Sequence, residues 1–131
     1  MTKVLYVEDH EAQRDIMMQM LELFGYEVDV ACNGEEGVEK AQEWLPDVVL
    51  MDIRMPGRID GLVAIRQLRS SPDTAGIPVL ALSAWGSAKH KERTMRAGAA
   101  AHFTKPVAMD ELTATINRHC CKAERRCSSP A

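Results

Sequence analysis

The segment Val48-Val49-Leu50-Met51-Asp52-Ile53-Arg54-Met55-Pro56-Gly57 decides how this chain folds. Four apolar residues run without interruption, an acid closes them, and Pro56-Gly57 supplies the turn. A run so short and so uniformly apolar, bounded by turn residues, reads as a strand covered on both faces. The same form recurs on either side. Glu8-Asp9 closes Val4-Leu5-Tyr6-Val7, Ser83 closes Val79-Leu80-Ala81-Leu82, and Lys105-Pro106 closes a later run.

Between these runs the hydrophobic period lengthens to that of a helix. Strands are expected at 3–7, 27–31, 47–51, 78–82 and 101–104, and helices at 11–24, 35–44, 61–69, 88–97 and 109–120. In the first helix Ile16, Met17, Met20, Leu21 and Phe24 form one apolar stripe. Leu62, Ile65 and Leu68 face inward in the third helix, and Leu112 and Ile116 in the last. Single helices joining successive strands make βαβ units with right-handed crossovers. The fold class is therefore α/β, five parallel strands with five helices.

In an open parallel sheet the functional crevice lies outside the carboxyl ends of the strands. Glu8, Asp9, Asp52 and Lys105 should converge at that edge. Three carboxylates placed so close repel one another unless a cation joins them. Oxygen-only ligands favour a hard divalent cation, Mg²⁺.

These pieces, in this order, resemble the receiver domain of two-component response regulators. The likeness rests on Glu8-Asp9, on Asp52 with Met55-Pro56 and Asp60-Gly61, on Ser83-Ala84 and on Lys105-Pro106, and it runs over about residues 2–119. It implies a flavodoxin-like, doubly wound sheet in the order 2-1-3-4-5, which periodicity alone does not provide. It implies a receiver domain at 1–119 and a polar tail at 120–131.

The resemblance also assigns roles. Asp52 is the phosphoacceptor, taking a phosphoryl group from a phosphohistidine in a Mg²⁺-dependent reaction. Asp9 binds the ion directly, Glu8 through water, and Asp52 and the Arg54 backbone carbonyl complete the protein ligands. Lys105 pairs with phosphoryl oxygens, and Pro106 after it suggests a cis peptide. Ser83 and His102 are the switch positions that carry the signal to the face of the fourth helix, fifth strand and fifth helix. His10, Glu11, Arg14 and Met18, early in the first helix, are the face for a sensor histidine kinase or phosphotransfer protein. A downstream protein target is implied, with the receiver a monomer or homodimer.

Two features depart from the family pattern. His102 stands where an aromatic switch residue is usual; it reads equally as a shorter lever or as an ordinary strand histidine. Asp60-Gly61 comes one residue late, lengthening the loop at 57–59. The resemblance also implies that Arg54 and Trp85 flank the line along which water would attack an acyl phosphate. Neither orients water, so slow self-dephosphorylation is expected.

At 131 residues the chain accommodates one domain. A net charge of −3 argues against a nucleic-acid surface, and no run approaches the roughly 18 apolar residues of a membrane span. The start at Met1-Thr2-Lys3 shows no leader pattern, so a stand-alone cytoplasmic regulator is expected, not an enzyme in the ordinary sense. Cys32, Cys120, Cys121 and Cys127 read as free thiols, since neither their spacing nor the context suits a disulfide framework. The alternatives are a receiver cut from a hybrid kinase, a haloacid-dehalogenase-like phosphatase and a flavin binder. The phosphatase wants a second acid where Arg54 stands. The flavin binder wants a hydroxyl- and glycine-rich loop where Glu8-Asp9-His10-Glu11 stands.

Overall fold

The computed structural model describes residues 2–53, 60–84 and 88–128, with side chains as far as His119. Ten elements alternate: β1 (Lys3–Val7), α1 (Glu11–Leu23), β2 (Glu27–Ala31), α2 (Gly34–Trp44), β3 (Val48–Asp52), α3 (Gly61–Ser70), β4 (Val79–Ser83), α4 (Ala88–Ala97), β5 (Ala101–Thr104) and α5 (Met109–Ser128). The five strands form one parallel sheet in the order β2-β1-β3-β4-β5, as the resemblance implies.

Alternation along each strand builds two cores. Leu5, Val7, Val49, Met51 and Ala81 face one layer with Val38 and Ala41 of α2 and Ile65 and Leu68 of α3. Val4, Tyr6, Leu50, Leu80 and Leu82 face the other, with Leu21 of α1 and Leu112 and Ile116 of α5. β3 and β4 are buried at every position, which is why they read as unbroken apolar runs.

The sheet edge that carries the acids is held by α3. Asp60 caps that helix, its side chain accepting from the Val63 N–H at 3.0 Å. Gly61 then passes against β3: a Cβ there would stand 2.5 Å from the Asp52 carbonyl oxygen and 2.6 Å from the Ile53 Cα. Gly61→Ala must push the first turn of α3 off the end of β3, at a cost of about 1–3 kcal/mol. Urea unfolding checks this as a lower midpoint at unchanged slope.

On the far side, the Arg69 guanidinium donates to the carbonyls of Ala75, Ile77 and Gly98 at 2.6, 2.7 and 2.8 Å. It ties the end of α4 to the loop before β4. Gly98 lies there at φ +117°, where a Cβ would meet the Arg69 side chain.

Three expectations need correcting. Ile16 and Phe24 belong to the apolar stripe of α1 but are 59% and 54% exposed. The sheet and α5 cover the side of the helix that carries Leu21, and the stripe is wider than that contact. α1 also ends at Leu23, with Phe24 as its C-cap. The last helix continues past Cys120 to Ser128, through the segment read as a tail. No helix among the described residues is long and apolar enough to cross a membrane. Arg54, Met55-Pro56, the loop at 57–59, Trp85 and the side chains of Cys120, Cys121 and Cys127 lie outside the described residues.

Candidate functional site

β1 and β3 are neighbours, with Val7 opposite Met51. Glu8 and Asp9, just past β1, therefore meet Asp52, the last residue of β3. One carboxylate oxygen from each of the three lies within 4.8 Å of the others. Glu8 and Asp52 are buried and Asp9 is exposed. β5 brings the cation. The Lys105 N–H donates to the Ser83 carbonyl at 2.7 Å, extending the pairing of β4 with β5, and the Lys105-Pro106 peptide is cis. Lys105 Nζ donates to Glu8 Oε1 at 2.8 Å, Asp52 Oδ2 at 3.1 Å and Gln13 Oε1 at 3.2 Å.

One ammonium for three carboxylates leaves the cluster short of positive charge. Burial and then the hydrogen bond and charge of Glu8 push the Asp52 carboxyl up to about 7, with Lys105 opposing. Burial also works against the Glu8 carboxylate, but its hydrogen bonds with Asp52 and Lys105 outweigh that and hold it at about 2. Asp9 is raised by its partial burial and by Glu8. Burial depresses the Lys105 ammonium, but Glu8 and Asp52 reverse the effect and raise it.

These shifts set the pH dependence of the metal-free protein. The folded state holds the Asp52 proton more tightly than the unfolded chain does. Stability therefore falls as pH rises from the ordinary aspartate value of 3.8 to about 7. Glu8 acts in the opposite sense, its contribution being lost as pH falls from 4.5 to about 2. Urea unfolding in a chelator should show the decline towards neutrality, and added Mg²⁺ should reverse it above pH 7.

The donor set fits Mg²⁺. Ligand oxygens on opposite sides of that ion stand about 4.2 Å apart, so carboxylates within 4.8 Å reach a shared ion with small side-chain adjustments. Glu8, Asp9 and Asp52 are the residues that would hold it. Glu8 is turned inward to Lys105.

Ser83 ends β4 and is buried. His102 lies on β5 opposite Ala81, so its side chain leaves the sheet on the face that α2, α3 and α4 cover. Its Nε2 is buried without a hydrogen-bond partner among the described residues. Burial, then the nearby charges of Lys91 and His90, push its pKa down and favour the neutral ring.

On α1, His10 is the N-cap, its Nδ1 accepting from the Gln13 N–H at 3.4 Å, and Glu11 is exposed. Arg14 is half-buried and donates to the Glu8 carbonyl at 3.2 Å, and Met18 is half-buried. Arg14 thus ties the helix to the acidic turn as well as facing outward.

Sequence reasoning missed three contributors. Gln13 accepts from the Lys105 ammonium. The Tyr6 hydroxyl donates to Glu8 Oε1 at 3.1 Å, and burial and the Glu8 charge push that phenol far above its usual range. An apolar groove of about 480 Å³, lined by Ile16, Met17, Met20, Pro106, Val107 and Met109, opens beside Lys105 and Ala84. Of these only Tyr6 had a local signal: residues two apart along a strand share a face, and Tyr6 precedes Glu8 by two.

A sheet in this order with an acidic pocket and a lysine at its carboxyl edge defines a phosphoacceptor signalling domain, and the comparisons agree. The chain belongs to the response regulator receiver domain family, whose profile matches residues 4–117. It is 40% identical over 117 residues to the protein PilH of Pseudomonas aeruginosa, covering 89% of this chain and 96% of that one. It spans about half the length of several other relatives that it matches.

Among solved structures, a putative response regulator of Chloroflexus aurantiacus superposes with a TM-score of 0.86 at 31% identity, over 92% of this chain and 98% of that one. The receiver domain of the sensor histidine kinase PA1611 of Pseudomonas aeruginosa superposes at 0.84 with 29% identity, over 91% and 97%. That structure holds a magnesium ion in its active-site cleft. Receiver domains are signalling domains of two-component systems that take phosphoryl groups from histidine kinases or phosphotransfer proteins. The phosphatase and flavin-binder alternatives fall away with the family assignment.

Proposed function

We propose that this chain is a stand-alone, cytoplasmic receiver, with its domain at 1–119 and residues 120–131 as an appendage, that takes a phosphoryl group from a phosphohistidine partner onto Asp52. The observation that carries the reading is the Lys105 ammonium held between Asp52 and Glu8 inside the acidic pocket.

An ionised Asp52 oxygen attacks phosphorus in line. The P–N bond breaks, its electron pair returns to the imidazole, and an acyl phosphate remains on Asp52. A bound Mg²⁺, held by Asp9, Asp52 and the Arg54 carbonyl and by Glu8 through water, would offset charge on the phosphoryl oxygens. Lys105 turns from Asp52 to a phosphoryl oxygen. Ser83 moves to the phosphoryl group, and the shift passes through the pairing of β4 with β5 to His102. An unpartnered buried nitrogen costs about 1–3 kcal/mol, so the observed rotamer of His102 is weakly held and suits a lever. Ending the signal is slow by itself, because Arg54 and Trp85 do not orient water.

The partner docks along His10, Glu11, Arg14 and Met18 and reaches into the groove between α1 and Val107. That groove is apolar and opens beside Lys105, so a helix seated in it presents its histidine to Asp52.

Incubation with acetyl phosphate and Mg²⁺ tests the reading. One base-labile phosphoryl group should appear by mass, and none in a chelator. Turnover of a generic phosphomonoester, or labelling that ignores the metal, would overturn it.

A further inference from the structure

Glu8 is held from inside the protein by a residue that no part of the phosphoryl chemistry uses. Tyr6 is 1% exposed and packs with Leu21, Leu50 and Leu112 between the sheet and the helices α1 and α5. Its ring is the same kind of core filler as its neighbours, but its hydroxyl is not. It donates to Glu8 Oε1 at 3.1 Å. The contact follows from strand geometry, because Tyr6 and Glu8 leave the sheet on one face.

The same Oε1 accepts from Lys105 Nζ at 2.8 Å. Oε2 is turned to the Glu8–His10 turn, where the His10 N–H lies 3.4 Å away. Oε1 is thus fixed by two donors from within the protein, and Oε2 has the longer contact to the His10 N–H.

We propose that Tyr6 is a positioning residue for the cation site: its hydroxyl pins Glu8 Oε1 in the core and so presents Oε2 to the water shell of a divalent ion. The proposal rests on the reading of Glu8, Asp9 and Asp52 as that site. Its consequence appears when Lys105 turns away to a phosphoryl oxygen. Glu8 Oε1 then loses its shorter contact, and the Tyr6 hydroxyl is the donor that stays on that oxygen. A preorganised carboxylate binds better than one that must be ordered on binding.

The test is calorimetric Mg²⁺ titration of the full chain as wild type, Tyr6→Phe, Glu8→Gln, the double variant and Asp9→Asn. Phenylalanine keeps the packing, so the metal-free unfolding midpoint reports whether the fold is intact; Tyr6→Leu replaces it if that variant does not fold. Removing the hydroxyl should weaken Mg²⁺ binding about tenfold. In the Glu8→Gln background the same removal should change it less than about twofold, because coupled residues are not additive. A merely structural role would weaken binding equally in both backgrounds, and that result overturns the proposal, as does wild-type affinity in Tyr6→Phe. Asp9→Asn separates the two levels of the argument. If it binds Mg²⁺ like wild type, the site itself is wrongly drawn and the proposal falls with it. If it loses binding while Tyr6→Phe does not, the site stands and only the role of Tyr6 fails.

Discussion

Asp52→Asn should accept no phosphoryl group from acetyl phosphate or a phosphohistidine donor, against one per chain for the wild type. The carboxylate oxygen is the attacking atom, and an amide offers no comparable nucleophile. The geometry adds a second expectation that separates a lost nucleophile from a lost fold. Buried beside Glu8, the Asp52 charge is held at a cost, which is why its pKa lies near 7. Asparagine removes that charge and leaves Lys105 to Glu8 at 2.8 Å. Metal-free Asp52→Asn should therefore unfold at a higher urea concentration than wild type at pH 8, and Mg²⁺ should stabilise it much less. Labelling of the variant at the wild-type level would show that another residue accepts the phosphoryl group. A variant both unlabelled and less stable would mean the substitution damaged the pocket.

Lys105→Met should have the largest effect on stability. The ammonium pairs with two carboxylates whose side chains are 1% and 7% exposed. Removing one partner of a buried ion pair typically costs about 3–5 kcal/mol, because the remaining charge is stranded. Here Asp52 can take up a proton, so the loss should shrink on acidification. The variant should be destabilised strongly near pH 8 and less near pH 5. Mg²⁺ should recover part of the loss, since it replaces the missing positive charge. Equal losses at both pH values would show that the stem of the lysine matters and its charge does not. Phosphorylation should also slow, because no ammonium meets the phosphoryl oxygens.

Most of the site was legible in the chain because its residues punctuate apolar runs. Asp52 and Ser83 turned out to be the last residues of β3 and β4, not the first beyond them, a shift of one position that leaves the edge unchanged. The extent of α5 was misread for a local reason. Residues 122–126 carry four charged side chains and no large apolar one, the composition of a tail. Lys, Ala, Glu and Arg are good helix formers, however, and neither Gly nor Pro interrupts the chain between Met109 and Ser129.

The order of the elements, their parallel arrangement and the acids and lysine that cap them were determined by sequence alone, because each depends on residues close together along the chain. Tertiary structure decided the rest. Which strands are neighbours depends on contacts between residues far apart, so Lys105 meets Glu8 across 97 positions and Asp52 across 53. Periodicity placed Ile16 and Phe24 on the apolar stripe of α1, but how much of that stripe is covered depends on what packs against it. The division of charge between Glu8 and Asp52 also lies beyond the reach of a sequence. Two carboxylates of ordinary acidity are driven to opposite sides of their usual values by burial and by one shared ammonium, and both causes exist only once the sheet has formed.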